Sequence, residues 1–119
     1  MTTNAFQIAV MAGDGIGPEV MNACLQIVNA AVEKVGGPGL HFVDAPGGAQ
    51  HYRDHGTDLP DSSFEIAKDA DAILFGAMGL PEVRKADGTE INPQLDLRFG
   101  LELYAGVRPV RVLPGAPTP

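Results

Sequence analysis

The sequence predicts an α/β fold in which helices flank a mainly parallel sheet. Three short apolar runs, at positions 6–11, 40–43 and 72–75, have the length and the neighbouring glycines that are typical of strands. A long segment with helical periodicity separates the first two runs, and a strand, a helix and a second strand in this order normally place the two strands parallel. The 119 residues are enough for one modest domain.

The first strand-helix-strand unit is the most clearly patterned part of the chain. A turn from Gly13 to Pro18 follows the first strand, and Pro18 suits a first helical turn because no N–H donor is needed there. Apolar side chains then recur at intervals of three and four up to Val35, which predicts an amphipathic helix. The glycines and the proline of residues 36–39 end this helix before the second strand.

The middle of the chain predicts one further helix and one further strand. Residues 45–59 are expected to form a loop. Ser62 and Glu65 have the spacing of a capping box, which predicts a short helix over residues 62–69. The continuous apolar run at 72–75 predicts a strand that is covered on both faces.

The last third of the chain predicts a loop, a helix and a strand. Residues 79–92 are polar and rich in glycine and proline, so we expect an exposed loop, with Asn92 capping a helix over residues 93–104. Residues 107–113 are expected to form a strand, and Pro109 favours an edge position or a strand start.

Composition limits the partners that the chain can have. Fifteen acidic against eight basic residues give a net charge of −7, which opposes binding to nucleic acid. The single cysteine, Cys24, cannot form an internal disulfide, which favours a reducing compartment. We see no secretion signal and no apolar run long enough to span a bilayer. We therefore expect a cytoplasmic protein that binds neither nucleic acid nor membrane.

The glycine cluster after the first strand invites comparison with a dinucleotide-binding fingerprint. The pattern G-x-G-x-x-G would place a glycine at position 18, where this chain has Pro18, so an ordinary Rossmann loop is excluded. Two interpretations of Gly13, Gly15 and Gly17 stay open: a structural turn that brings backbones close together, or a segment next to a ligand.

Two histidines, His51 and His55, have a spacing that could bind a metal on one helix face. Gly47 and Gly48 before them and Gly56 after them argue against a stable helix, so we expect no metal site there. No carboxylate pair and no Ser-His-Asp arrangement points to a catalytic centre. We predict no catalytic residue within the chain.

Two arginines near the end, Arg98 and Arg108, suggest an anion clamp. One lies on the last predicted helix and the other at the start of the last predicted strand. The planar guanidinium group holds a carboxylate through paired, charge-assisted hydrogen bonds, which fix both its charge and its orientation. A small carboxylic acid is therefore the first ligand to consider.

Four landmarks occur in a fixed order along nearly the whole chain. They are residues 8–20 with Gly-Asp-Gly-Ile-Gly-Pro-Glu, Gly47-Gly48 with Gly56 and Leu59-Pro60, residues 71–79, and Leu97-Arg98 through Leu103-Tyr104 to Arg108-Pro109. In this order and spacing they resemble the isocitrate and isopropylmalate dehydrogenases, which are NAD(P)-dependent β-decarboxylating dehydrogenases of hydroxy acids.

The resemblance implies a reaction and roles for individual residues. Hydride would pass from the hydroxyl carbon of a malate-type acid to NAD or NADP, with loss of a β-carboxylate assisted by Mg²⁺ or Mn²⁺. Arg98 and Arg108 would hold the malate-like part of the substrate. The segment near the nicotinamide end of the cofactor would be Gly76, Ala77, Met78 and Gly79.

Members of the family are several-fold longer than this chain. The resemblance therefore implies that residues 1–119 are the N-terminal part of a hydroxy-acid dehydrogenase domain, with the rest of the fold, the catalytic residues and the metal ligands outside this chain. It also implies that the complete enzyme is a homodimer and that this chain alone is inactive.

The residues just before and within the last predicted helix bear on the substrate. Asn92 and Gln94 occupy positions where isopropylmalate enzymes tend to present apolar surface, so we expect a polar distal substituent, as in isocitrate or tartrate. The alternative to an enzyme part is a non-catalytic fragment that binds a carboxylate, or an inactive truncated product.

Overall fold

The computed structural model of the chain describes residues 5–112 and 114–115. Within these residues strands and helices alternate for most of the length. In chain order they are β1 (Phe6–Met11), α1 (Gly17–Val35), β2 (Leu40–Asp44), α2 (Ala49–His55), α3 (Asp61–Asp69), β3 (Ala72–Phe75) and α4 (Pro93–Gly100). None of the helices in this part of the chain has the length and apolar content needed to cross a membrane.

The strands form one parallel sheet in the order β2-β1-β3. In the middle strand, Ile8 pairs with Phe42 of β2 on one side and with Ala72 of β3 on the other. A parallel sheet with flanking helices confirms the predicted fold class. The connection from β2 to β3 passes across β1, so the loops that follow β1 and β3 lie side by side at one end of the sheet.

Burial is greatest in the second half of β1. Ala9 and Met11 are completely buried, whereas the side chains of β3 are half-buried and Ala72 is exposed. The prediction that β3 is covered on both faces is therefore wrong, because β3 is an edge strand of the described sheet. The buried cluster also contains Ala45, Ala67 and Leu97, so α3 and α4 contribute side chains to the same core as β1.

Helix α1 ends as the sequence predicts. Gly36 adopts a left-handed conformation with φ of 63°. Its N–H donates to Glu33 O at 3.2 Å, and the N–H of Gly37 donates to Val32 O at 2.9 Å. These two hydrogen bonds are those of a Schellman motif, in which glycine is favoured because it has no Cβ atom.

The predicted loop at 45–59 contains a helix, α2, and the loop prediction is wrong there. The first N–H groups of α2 are satisfied by the distant carboxylate of Asp14, which accepts from Ala49 N at 2.7 Å and from Gln50 N at 2.8 Å. Gly56, with φ of 79°, ends the helix. The flanking glycines thus bound this helix and do not prevent it.

The remaining helices begin and end differently from the prediction. α3 starts one residue early, with Pro60 at the N-cap and no side-chain cap, so the predicted capping box does not form. Instead the neighbouring Ser63 hydroxyl donates to Pro46 O at 2.6 Å. Asn92 does occupy the N-cap of α4, but its side chain makes no capping hydrogen bond.

Helix α4 ends at Gly100, four residues before the predicted end at Tyr104. Glu102, with φ of 53°, provides the left-handed turn that glycine provides in α1. Residues 107–112 form no strand and are exposed, because no neighbouring strand pairs with them within the described residues. Leu113, the last residue of that predicted strand, lies outside the described residues.

Candidate functional site

The loops that follow β1 and β3 are joined by backbone hydrogen bonds at the carboxyl end of the sheet. Asp14 N donates to Ala77 O at 2.7 Å, and Gly76 N donates to Met11 O at 2.7 Å. In open α/β sheets, ligands bind outside the carboxyl ends of the strands, where the strand order reverses. This end of the sheet is therefore the first place to look for a site.

Three glycines of these loops are required by close backbone contact. A Cβ atom on Gly13 would lie 1.8 Å from Ala77 O, and one on Gly76 would lie 2.1 Å from Ala12 O. Gly17 is equally confined, at 2.3 Å from Ala12 O. Of the two interpretations that the sequence leaves open for the glycine cluster, these distances support the structural turn, because they leave no space for another group between the two loops.

Asp14 holds this end of the molecule together, and sequence reasoning missed it. Its side chain is buried, with 4% of its surface exposed. Besides the two N–H groups of α2, its carboxylate accepts from Gly79 N at 2.8 Å. Hydrogen bonds to a charged acceptor are stronger than neutral ones. The available signal was a carboxylate between two glycines directly after a buried strand.

The four residues expected near the cofactor divide into two pairs. Gly76 and Ala77 are occupied by the backbone contacts with the loop after β1. Met78 and Gly79 line an open pocket of about 260 Å³ together with, among others, Leu80, Arg84 and Ile91. The pocket has apolar side chains, such as Leu80 and Ile91, and two charged ones, Arg84 and Glu90.

The two arginines singled out from the sequence line one pocket. Arg98 of α4 and Arg108 of the following segment bound a space of about 340 Å³. Gln94 lines the same pocket, whereas Asn92 does not. The rest of the lining is apolar and comes from Ile73, Phe75, Leu97 and Leu103.

The end of α4 determines how Arg108 reaches this pocket. Leu103 N donates to Arg98 O at 2.9 Å, and Glu102 N donates to Phe99 O at 3.2 Å, which turns the chain back beside the helix. Leu103 then packs at the pocket wall, and Arg108 follows five residues later. Sequence spacing alone could not show this reversal, because position 102 is not glycine.

Neither guanidinium group of this pocket is neutralised by the described residues. The ion pairs found in residues 5–112 and 114–115 use other cations, namely Lys68, Arg84 and Lys85. Two unpaired guanidinium groups beside an apolar floor can hold an organic anion, because the charge binds carboxylate and the floor accepts a carbon skeleton.

Lys85, in the loop between β3 and α4, forms an ion pair with Asp58 in the loop before α3. Its Nζ lies 3.0 Å from Asp58 Oδ2, an oxygen that is shielded from solvent. Hydrogen bonding to Asp58 raises the pKa of Lys85 above 10.5, and the nearby charges of Asp96 and Asp87 act in the same direction while burial opposes them. At neutral pH Lys85 is therefore charged.

The exposed tip of the same loop contains a second perturbed group. Hydrogen bonds from the backbone and the hydroxyl of Thr89 lower the pKa of Asp87 below 3.8. Both shifts belong to loop contacts and not to the arginine pocket. Of the two, only the contact of Lys85 with Asp58 joins the loop at 79–92 to another segment.

A model of the isocitrate/isopropylmalate dehydrogenase family matches residues 7–119. The match covers nearly the whole chain, and the chain therefore belongs to this family, as its landmarks predict.

Individual relatives agree with this assignment. The 3-isopropylmalate dehydrogenase of Burkholderia lata is 42% identical over 113 residues, which are 91% of this chain and 30% of that protein. A probable tartrate dehydrogenase/decarboxylase of Agrobacterium vitis is 37% identical over 114 residues, 96% of this chain and 32% of that protein. The chain spans about a third of the length of the curated relatives it matches.

A solved structure supports the fold. The crystal structure of a β-decarboxylating dehydrogenase from Thermococcus kodakarensis, in its apo form, matches with a TM-score of 0.61 and 30% sequence identity. The match covers 83% of this chain and 27% of that one.

Proposed function

We propose that residues 1–119 are the N-terminal part of a hydroxy-acid dehydrogenase that carries out metal-dependent oxidative decarboxylation of a malate-type 2-hydroxy acid with NAD or NADP. The observation that carries this proposal is the pocket shared by Arg98 and Arg108. It is supported by membership of the isocitrate/isopropylmalate dehydrogenase family. A reducing cytoplasm and a homodimeric complete enzyme are part of the proposal.

The arginines bind and orient the substrate in this proposal. A malate-type acid has two carboxylates on a short carbon chain, and each guanidinium group can hold a carboxylate through two parallel hydrogen bonds. Gripping the acid at two points fixes the direction of its hydroxyl-bearing carbon, and such orientation is a large part of catalysis. Ile73 and Phe75 offer apolar surface to the carbon chain.

The pocket beside Met78 and Gly79 fits one end of a nicotinamide cofactor. Gly79 has φ of 99° and no side chain, so a planar ring can approach its backbone, and Leu80 and Ile91 add apolar contact. Bound NAD or NADP supplies the hydride acceptor. Gly76 and Ala77 act indirectly, by fixing Met78 and Gly79 against the loop after β1.

The described residues offer no site for the Mg²⁺ or Mn²⁺ ion of the decarboxylation. In residues 5–112 and 114–115 there is no group of three histidine, cysteine, aspartate or glutamate side chains placed to hold an ion. We therefore assign the ligands of Mg²⁺ or Mn²⁺ to the part of the enzyme outside this chain and derive no step through the ion.

The substrate carries a polar distal substituent in this proposal, as isocitrate and tartrate do. Gln94 supports it, because its amide lines the arginine pocket and can hydrogen bond a hydroxyl or a carboxylate. Asn92 lies at the N-cap of α4, outside the pocket lining, and in this proposal acts by positioning Gln94. A strong preference for isopropylmalate would contradict this choice.

The test is a chimeric enzyme in which residues 1–119 replace the matching part of the 3-isopropylmalate dehydrogenase of Burkholderia lata. We expect reduction of NAD or NADP in the presence of Mg²⁺, with tartrate or isocitrate preferred. Arg98→Ala and Arg108→Ala should each lower kcat/KM about 100-fold, since each removes a charge-assisted bidentate contact. Arg111→Ala is the matched control, because Arg111 is exposed on the same segment and does not line the pocket.

Two results would contradict the proposal. One is a soluble, folded chimera that reduces no cofactor with any malate-type acid, which would leave a carboxylate-binding fragment or an inactive product. The other is reproducible NAD reduction by the isolated 119-residue chain, which we expect to be inactive because no catalytic residue is assigned within it.

A further inference from the structure

Helix α2 carries two histidines on successive turns of one face. The rings of His51 and His55 lie nearly parallel, with centroids 4.3 Å apart and an interplanar angle of 22°. His51 is half-buried and His55 is exposed. The sequence argument against a metal here assumed that these residues are not helical, and the helix removes that assumption.

The hydrogen bonds of the two rings fix which nitrogen carries the proton. His51 Nδ1 lies 2.7 Å from Thr57 O, and His55 Nδ1 lies 3.3 Å from His51 O. A carbonyl oxygen only accepts, so each Nδ1 donates, and in the neutral imidazole Nε2 then carries the lone pair. Within the described part of the chain, neither Nε2 has a hydrogen-bond partner. Metal-binding histidines commonly show this arrangement, with one nitrogen donating to a carbonyl and the other free for the ion.

The surroundings of the pair favour a cation. His51 and His55 line an open pocket of about 270 Å³ next to the ends of β1 and β2. The carboxylates of Asp44 and Asp54 line the same pocket. Lysine and arginine are absent from its lining, and Arg53, the nearby cation on α2, donates to the side-chain oxygen of Gln50. The two carboxylates of the lining therefore outnumber this one guanidinium group.

We propose that His51 and His55 form a two-ligand site for a divalent transition metal of the zinc, nickel and copper class, bound through both Nε2 atoms. Imidazole suits these ions, whereas Mg²⁺ prefers oxygen ligands. The rings turn out of their parallel stack so that both lone pairs point at one ion, about 2.0–2.1 Å from each nitrogen. Water completes the coordination, because no third protein ligand is placed to join in the described residues.

Isothermal titration of the 119-residue chain with ZnCl₂ tests this site. We expect one ion per chain with a micromolar dissociation constant, unchanged by a large excess of MgCl₂. His51→Gln and His55→Gln should each weaken binding about tenfold or more, because each leaves a single imidazole. His41→Gln is the matched control, since His41 is the remaining histidine and lies on β2, away from the pocket lining.

A second measurement uses only the unmodified chain, so its result does not depend on whether the variants fold. In the unmodified chain, NMR signals of the His51 and His55 rings should shift together with zinc, along one saturation curve, while those of His41 stay in place. The proposal is overturned if zinc binding is undetectable, if it survives in both variants, or if His41 shifts with the same midpoint. None of these results depends on dehydrogenase activity.

Discussion

At the scale of single residues, the carboxylate of Asp14 joins three segments that are far apart in sequence. The carboxylate accepts hydrogen bonds from the first N–H groups of α2 and from the N–H of Gly79. The backbone N–H of Asp14 donates to the carbonyl oxygen of Ala77. The sequence could not reveal this role, because the partners follow it by 35 and 65 positions and offer only backbone atoms. Arginine chemistry, by contrast, depends on the side chain itself, which is why Arg98 and Arg108 could be singled out.

The close approach of the two loops predicts different costs for two similar substitutions. Gly13→Ala should lower the free energy of unfolding by about 3 kcal/mol, because its Cβ would overlap Ala77 O and its φ is 83°. Gly15→Ala has a similar left-handed backbone but no contact nearer than 3.8 Å, so we expect a loss of about 1 kcal/mol. Urea unfolding measures both, and equal losses would refute the steric argument.

At the scale of elements, regular structure was predictable where its signals are local. The strands and α1 are encoded by runs, periodicity and the glycines at 36 and 37, all within the element or next to it. α2 was missed because its N-terminal cap comes from Asp14, in the loop before α1. The end of α4 was misplaced because Glu102, not glycine, adopts the left-handed turn.

The unusual residue at the end of α4 predicts a stabilising substitution. Glu102→Gly should raise the free energy of unfolding by about 0.5 to 1 kcal/mol, since relief of the left-handed strain exceeds the entropy that glycine adds to the unfolded chain. Glu82→Gly removes the same charge from an exposed turn with ordinary φ and should give no gain. The midpoints of urea unfolding of the two variants and the unmodified chain are compared, provided that the m-values are equal. Destabilisation by Glu102→Gly would show that the turn is not strained.

The contact between Lys85 and Asp58 predicts a pH dependence for the loop that precedes α4. The folded state raises the pKa of Lys85 above 10.5, so its contribution to stability is fully present below that pH and is lost as the pH rises through the folded value. Because the Lys85 side chain is 36% exposed, screening should limit the contribution to under about 1 kcal/mol.

Urea unfolding of the unmodified chain and of Lys85→Met at several pH values measures this contribution. We expect the difference between them to stay constant from pH 8 to about 10 and to shrink above it. A difference that grows at alkaline pH, or that is absent at pH 8, would contradict the assignment.

At the scale of the whole molecule, the chain leaves much surface uncovered. Its accessible area is 8591 Å², against about 6100 Å² for a compact protein of 12.4 kDa. Its radius of gyration of 16.5 Å likewise exceeds the ~13.5 Å of a compact domain of this length. Large apolar side chains contribute to the excess, including Val20, Ile27, Phe99 and Tyr104.

This open surface agrees with the proposal that the chain is one part of a longer enzyme. The core is small and largely made of alanine, so the fold gains less from apolar burial than a complete domain does. The arginine pocket is part of this open surface. We therefore expect its affinity for a small acid to be modest. A method that detects weak binding is therefore needed to test the clamp itself.

The most direct measurement of the clamp is NMR titration of the chain with malate, observed at the arginine side-chain Nε–H groups. If Arg98 and Arg108 grip one acid, their signals should shift along the same saturation curve with one dissociation constant, while the Arg111 signal stays in place. Added salt should weaken the binding, since it depends on charge. Shifts with two different midpoints, a shift of one arginine alone, or an equal shift of Arg111 would contradict the two-arginine site.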